Sequence, residues 1–166
     1  MSVFKTTFSR ALNIFPSDNA NIPFINTITS GITDDTNTDR LIDSTKDFFV
    51  LNVKEGDIVY NNTIGTAATV IRVSTSNTIA LNADIFTDVG QEYIVYQASS
   101  QTGLSNQGCY LYIGAAADNN GVVTVTTIGG DIVTFYGIAR GTVLPVQVIK
   151  LHFSGTGDVD KIVALW

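Results

Sequence analysis

The stretch from Cys109 to Trp166 constrains this chain more than any other part of it. Short β-type runs follow one another there, separated by Gly, Asn and Asp, which is the punctuation of an antiparallel β-protein. Tyr110 to Ile113 reads as a strand and Gly114 to Gly121 as a loop. Val122 to Ile128 alternates, Gly129-Gly130-Asp131 signals a tight hairpin, and Ile132 to Tyr136 returns. Gly137 to Leu144 reads as a second loop. Pro145 then stands before the run Val146 to Phe153, where a missing N–H costs nothing. Ser154 to Asp158 turns into Ile162-Val163-Ala164-Leu165-Trp166. An end this apolar is expected to close a sheet or to enter an interface.

Composition carries the same message for the whole chain. Of its 166 residues, 45% are hydrophobic but only 14% charged, against about 25% in a typical soluble domain. Its surface must therefore be covered largely by uncharged polar groups. Thr, Val and Ile suit pleated sheets, while Gly and Asn suit turns. The expected fold class is all-β: two small antiparallel barrel or sandwich modules, one inserted into the other. A net charge of −6 argues against direct nucleic-acid binding, which needs clustered Lys and Arg. No apolar run approaches the ~18 residues of a membrane helix, and the start, Met1 to Lys5, does not read as a signal peptide. The single cysteine, Cys109, excludes an internal disulfide and reads as a small buried hydrophobe. The composition fits a chain folded in a reducing cytoplasm.

In order along the chain, residues 1–25 carry Phe4, Phe8, Leu12 and Phe15 at a spacing of about four. Thr6, Thr7 and Ser9 weaken a helix and Pro16 ends it, so an extended arm is expected. Its aromatic residues either pack on the chain's own sheets or dock on a neighbour. Residues 26–100 read as a self-contained unit of five or six short strands. These include Thr27 to Ser30, Ile58 to Tyr60 after the Glu55-Gly56-Asp57 turn, Ala67 to Ser74, Thr78 to Leu81 and Glu92 to Gln97. A single helical turn is expected at Asp84-Ile85-Phe86. Residues 98–108 read as a polar connector.

Chemistry-bearing patterns are sparse. His152 is the only histidine and no G-x-S-x-G elbow accompanies it, so it reads as an ordinary strand residue. One His and one Cys do not make a zinc site. Asp34, Asp35, Asp39 and Asp43 match no calcium loop and read as a solvated acidic loop. Gly129-Gly130 and Gly155-x-Gly157 have no phosphate-binding context and read as turns. The expectation is a chain that is not an enzyme and that uses no metal or cofactor.

A set of motifs resembles one family: the head spike base proteins of tailed phages and gene transfer agents. The matching residues are Leu111-Tyr112-Ile113-Gly114, Val123 to Thr127, Gly130 to Phe135, Gly141 to Val148, Ser154 to Gly157 and Ile162 to Trp166. Near the start, Phe8 to Leu12 and Pro16-Ser17-Asp18 with Ile22-Pro23 are also similar to that family. In its compact form the start runs almost directly into the strand matched by Tyr110 to Ile113. The resemblance therefore implies a discontinuous host β-domain, residues 1–25 and 101–166, carrying an inserted small β-barrel at 26–100. The insert resembles a module recurrent in phage structural proteins, through Lys54 to Asn61 and Thr66 to Val70.

What the resemblance implies is a structural virion protein made in the host bacterial cytoplasm. It would decorate the capsid exterior as a spike base or cement protein. Its expected partners are the major capsid protein, copies of itself in a symmetric trimer or pentamer, and a spike or fibre. Neither nucleic acid nor a membrane is an expected partner. Phe4, Phe8, Phe15, Phe24, Leu165 and Trp166 are the candidate interface residues, because aromatic side chains dominate interface energetics; the alternative is that they fill the chain's own core. A neck or tail component and a carbohydrate-binding adhesion module are the competing readings, the latter drawing on Tyr60, Tyr93, Tyr96, Tyr110, Tyr112 and Tyr136.

Overall fold

The structure, a computed structural model, describes residues 7–24, 26–98 and 108–166. The described residues form thirteen strands, one 3-10 turn at Ala117–Asn119 and no α-helix. The first seven strands are β1 (Ala11–Asn13), β2 (Thr27–Ile32), β3 (Arg40–Ile42), β4 (Ile58–Asn61), β5 (Thr66–Thr75), β6 (Thr78–Leu81) and β7 (Glu92–Tyr96). The remainder are β8 (Tyr110–Ala116), β9 (Gly121–Thr127), β10 (Ile132–Ile138), β11 (Thr142–Val143), β12 (Val148–Leu151) and β13 (Val159–Leu165). Every pairing is antiparallel, and the chain is all-β as its composition requires.

Strand pairing divides along the sequence. Strands β2 to β7 make one sheet in the order β2-β7-β4-β5-β6-β3. The others make two sheets, β1-β13-β8-β11 and β10-β9-β12. Thus β1, from the start of the chain, pairs with β13 at its end, and Ala11, Leu12 and Asn13 face Leu165, Ala164 and Val163.

The six-stranded sheet curls into a half-barrel whose ends touch at one point. Asp35, just past β2, forms an antiparallel bridge to Ile42 of β3, and Asp34 N donates to Ile42 O. Leu41, Phe48, Val59, Val70, Ile79, Leu81, Phe86 and Val95 fill the interior. The expected helical turn at Asp84 to Phe86 is absent. Ile85 and Phe86 are buried in this core, and Ile85 O accepts from the Asn61 side chain, so tertiary packing overrides the local preference. Buried polar side chains are hydrogen-bonded here, with Thr66 Oγ1 in β5 as the exception. Tyr93 donates to Asp43 at 2.7 Å, Thr45 N and its hydroxyl donate to the other oxygen of Asp43, and Asn61 holds Gln91 at 3.0 Å. Gly31 is required here, because a Cβ would lie 2.5 Å from the Asp43 carboxylate and 2.8 Å from the Tyr93 hydroxyl.

The two other sheets bury a common core. Leu111 and Ile113 of β8 and Ile162 and Ala164 of β13 pack with Val123 and Val125 of β9 and with Val148 and Leu151 of β12. Cys109 lies in the same core, 1% exposed, and burial pushes its thiol up to about 12. Two expected loops are partly strand. β8 runs on through Gly114 to Ala116, and β10 reaches Ile138 with β11 added to the edge of β8. The reason at Gly114 is a close approach: a Cβ there would sit 2.6 Å from the Lys161 carbonyl. Glycine, read as a loop signal, here lets two strands continue.

Residues 14–22 run between the two groups of strands. Ile14 and Ile22 are buried in the second core, and Ser17 N and Ile22 N donate to Leu151 O and Ile149 O. On the other side Ser17 Oγ donates to Ala67 O, while Thr69 and Asn82 donate to Asn19 O. Ala20 is buried among Ile58, Tyr60, Ala67 and Tyr96. The arm is extended, as Pro16 and the Thr and Ser residues predicted. The connector expected at 98–108 falls almost wholly outside the described residues.

Candidate functional site

The four-stranded sheet is apolar on both faces. Its inner face is the core just described. Alternation puts Tyr110, Tyr112 and Gly114 of β8 on the outer face with Leu165, Val163 and Lys161 of β13. Ala11 and Asn13 of β1 and Val143 of β11 join them there by register. Phe8 lies on Tyr110 with ring centroids 5.6 Å apart. Tyr110, Val163 and Leu165 are half-buried, while Phe8, Tyr112 and Val143 are exposed. Strands buried on both faces read as continuous apolar runs rather than alternating ones. Tyr110-Leu111-Tyr112-Ile113 and Ile162-Val163-Ala164-Leu165 are such runs.

A groove of about 600 Å³ opens at one end of this face, lined by Asn13, Phe15, Pro16, Tyr112, Lys161 and Val163 among others. Lys161 sits in the left-handed region at φ +53 inside a strand. Non-glycine residues seldom hold that conformation, and Gly114 opposite makes room for it. The floor is thus an irregular step between apolar walls, with Lys161 and Asp160 as its charged groups.

The candidate interface residues are not gathered at one point. Phe8 and Leu165 meet on the outer face around Tyr110. Phe15 lines the groove but also packs on Tyr60, centroids 5.1 Å apart. Phe24 is half-buried under the Arg10 guanidinium at 5.6 Å. Trp166 is half-buried against the second core, and its carbonyl accepts from Ser9 N and Arg10 N. Phe4 lies outside the described residues. Asn13 and Lys161 were not singled out from sequence, whereas Val163 lies in the apolar end expected to close a sheet or enter an interface; the signal for the other two is the apolar character of the runs that flank them.

His152 lies just past β12 in a side-chain chain of its own. Its Nε2 is 2.7 Å from Thr126 Oγ1, and its Nδ1 is 3.6 Å from Asp18 Oδ1. Carboxylate, imidazole and hydroxyl follow one another as in a hydrolase triad. However, the Asp18 gap exceeds hydrogen-bond length, and the carboxylate already accepts from Ser154 N at 3.1 Å and Ser154 Oγ at 2.6 Å. The Ser154 hydroxyl holds the Asp18 carboxyl below its ordinary value, against an opposing effect of desolvation. Lys150 Nζ donates to Asp18 O as well. The cluster fastens the arm to the end of β12.

In the acidic loop, Ser44 N and its hydroxyl donate to Asp34, and Asp43 points inward to Tyr93. No group of three or more His, Cys, Asp or Glu side chains suited to a metal ion occurs among the described residues. No described helix is long and apolar enough to cross a membrane. Comparison with known proteins finds no matching family model, no matching curated protein and no matching solved structure.

Proposed function

We propose that this chain is a structural virion protein of a tailed bacteriophage, decorating the capsid exterior as a symmetric homo-oligomer in a spike-base or cement role. The observation that carries a structural, surface-docking role is the outer face of the four-stranded sheet. There Phe8, Tyr110, Tyr112, Val143, Val163 and Leu165 form an apolar layer that the described residues cover only in part. Layers of this kind mark interaction surfaces. The motif resemblance supplies the virion setting. Strands β8 and β13, which carry the layer, coincide with Leu111 to Gly114 and Ile162 to Leu165 in that resemblance. In this reading the face docks on a capsid or neighbouring subunit, and the barrel of β2 to β7 adds coverage and height.

Mass spectrometry and low-resolution imaging of intact particles test the role. The expected result is this chain in the particle at a copy number that fits capsid symmetry, with density outside the shell. Its absence from purified particles overturns the reading, and density confined to the neck or tail moves it there. A carbohydrate-binding role has its own support in the groove, where the exposed Tyr112 ring stands near Asn13 and Asp160. Saturable binding on a glycan array that is lost in Tyr112→Ala favours that second reading.

A further inference from the structure

We propose that β10 is an assembly strand, pairing antiparallel with β10 of a second copy of this chain about a two-fold axis. The contact joins two three-stranded sheets into one of six strands. This deepens the self-assembly reading above, on which it rests, by naming the contact.

β10 is the outer strand of the order β10-β9-β12, and no described residue pairs with its far side. Its sequence, Ile132-Val133-Thr134-Phe135-Tyr136-Gly137-Ile138, has no charge and no proline. Natural edge strands are blunted by Lys, Pro, shortness or a covering element, because an open edge is a template for another strand. None of these devices protects β10, whose one irregularity is the register shift between Phe135 and Ile138, beyond the regular run Ile132 to Phe135. Ile132 is 67% exposed and Tyr136 77%, in the strand class that most favours pairing.

The ladder shows which groups are free. Thr127 N donates to Asp131 O, so the next pair, Ile132 with Thr126, is a non-hydrogen-bonded one, as is Thr134 with Thr124. Ile132 and Thr134 therefore aim their N–H and C=O groups away from β9, toward the open edge. Water satisfies this row in the isolated chain, and among protein partners an extended strand matches it.

The chain itself indicates which strand. Its other described edges are short, covered or poorer in strand-forming side chains. β1 and β11 have three and two residues. β12 receives bonds from Ser17 and Ile22, while β2 is bridged to β3 only beyond its end, at Asp35–Ile42, and carries Thr27, Thr29, Ser30 and Gly31 where β10 carries a β-branched and aromatic row. β10, with seven residues, is matched in length by another β10. Charge agrees: the chain is at −6, so copies repel in general, but β10 brings no carboxylate to the contact. A two-fold axis through Thr134 sets Ile132 opposite Tyr136 of the partner subunit, and the contact is self-complementary.

Sedimentation velocity over a wide concentration range tests this. The unaltered chain is expected to associate through a two-fold step. Ile132→Lys with Tyr136→Lys places like charges opposite one another and should weaken association at least about tenfold. Both side chains are exposed, so the circular dichroism spectrum and melting temperature should not move. Ile132→Glu with Tyr136→Glu should behave alike, and an equimolar mixture of the Lys and Glu variants should recover association. Hydrogen exchange needs no variant: the Ile132 and Thr134 amides should be protected when concentrated and exchange freely when dilute. If both charged variants associate as the unaltered chain does, β10 pairing is wrong while self-assembly stands. If the unaltered chain is monomeric throughout, both readings fall.

Discussion

The two groups of strands handle the same problem in opposite ways. The β2 to β7 sheet curls until Asp35 bridges Ile42, and its buried polar groups bond one another. Its exposed large apolar side chains include Phe49 and Val50, in the turn before Val53. The sheets of β1 and β8 to β13 leave β10 open and one apolar face half-covered. A sheet whose ends are drawn together at a bridge offers less open edge than a sandwich with an uncharged, apolar edge strand. The difference assigns self-sufficiency to one group and contact to the other.

The largest effects should come from emptying each core separately. Phe48 and Leu111 are each fully buried, in different clusters. Phe48→Ala should cost about 3–5 kcal/mol and Leu111→Ala about 2–5 kcal/mol, as for other large-to-small core changes. Calorimetry with residue-resolved hydrogen exchange reads both. If the comparison is right, Phe48→Ala lowers protection mainly in β2 to β7 and Leu111→Ala mainly in β8 to β13. Equal loss throughout with either variant breaks it, and shows that the Ser17 to Ala20 seam couples the chain into one cooperative unit.

The next effect belongs to the barrel's interior polar pair. Tyr93→Phe removes the hydroxyl that donates to Asp43 Oδ2 and leaves a buried carboxylate oxygen short of a partner. It should cost about 1–3 kcal/mol. In the intact protein, burial and the Asp43 hydrogen bond push the Tyr93 phenol well above its ordinary value. The phenol should therefore stay protonated in spectrophotometric titration until the fold opens. A normal titration step from Tyr93 would show that the barrel breathes and would weaken the contrast.

A smaller effect sits at the latch that fastens the arm to the end of β12. Asp18 has its carboxyl lowered below 3.8, first by the Ser154 hydroxyl. A lowered folded value means that its stabilisation is present above the unfolded value and lost as pH falls through the folded one. Asp18→Asn should flatten the acid limb of the stability curve below about pH 4 and loosen the arm around residue 18 in hydrogen exchange. An acid limb identical to that of the unaltered chain means the latch contributes nothing measurable.

Much of the fold was legible because its signals are local. Alternation marked β9, Gly129-Gly130-Asp131 marked its hairpin, and Thr78 to Leu81 was read to the residue as β6. Glycine misled where its role is a tertiary approach. Gly114 reads as a loop residue until Lys161 is seen opposite it. Ile85 and Phe86 were read by local pattern as a helical turn, but the barrel core decides their conformation. The candidate site was legible only in part. Aromatic identity pointed to Phe8 and Leu165's neighbourhood, yet a sequence does not reveal that Tyr110 and Tyr112 share a face with them, since that depends on the β8–β13 register. The latch of Asp18, His152 and Ser154 spans residues far apart in sequence that no spacing rule connects.

The smallest expected effect is also the sharpest control on the comparison. Phe49 is 58% exposed and Val50 80%, so both are as open to water as the β10 side chains. They sit in a turn whose amides are already taken: Phe49 N and Val50 N both donate to the Asp47 carboxylate. Exposed apolar side chains on a satisfied backbone offer contact area without a strand to pair. Phe49→Ser with Val50→Ser should change stability by no more than about 0.5 kcal/mol and leave sedimentation unaltered, in contrast to the charged variants of β10. Loss of association in this pair would show that the barrel, not the open sandwich, carries the contact, and would reverse the assignment of roles between the two groups of strands.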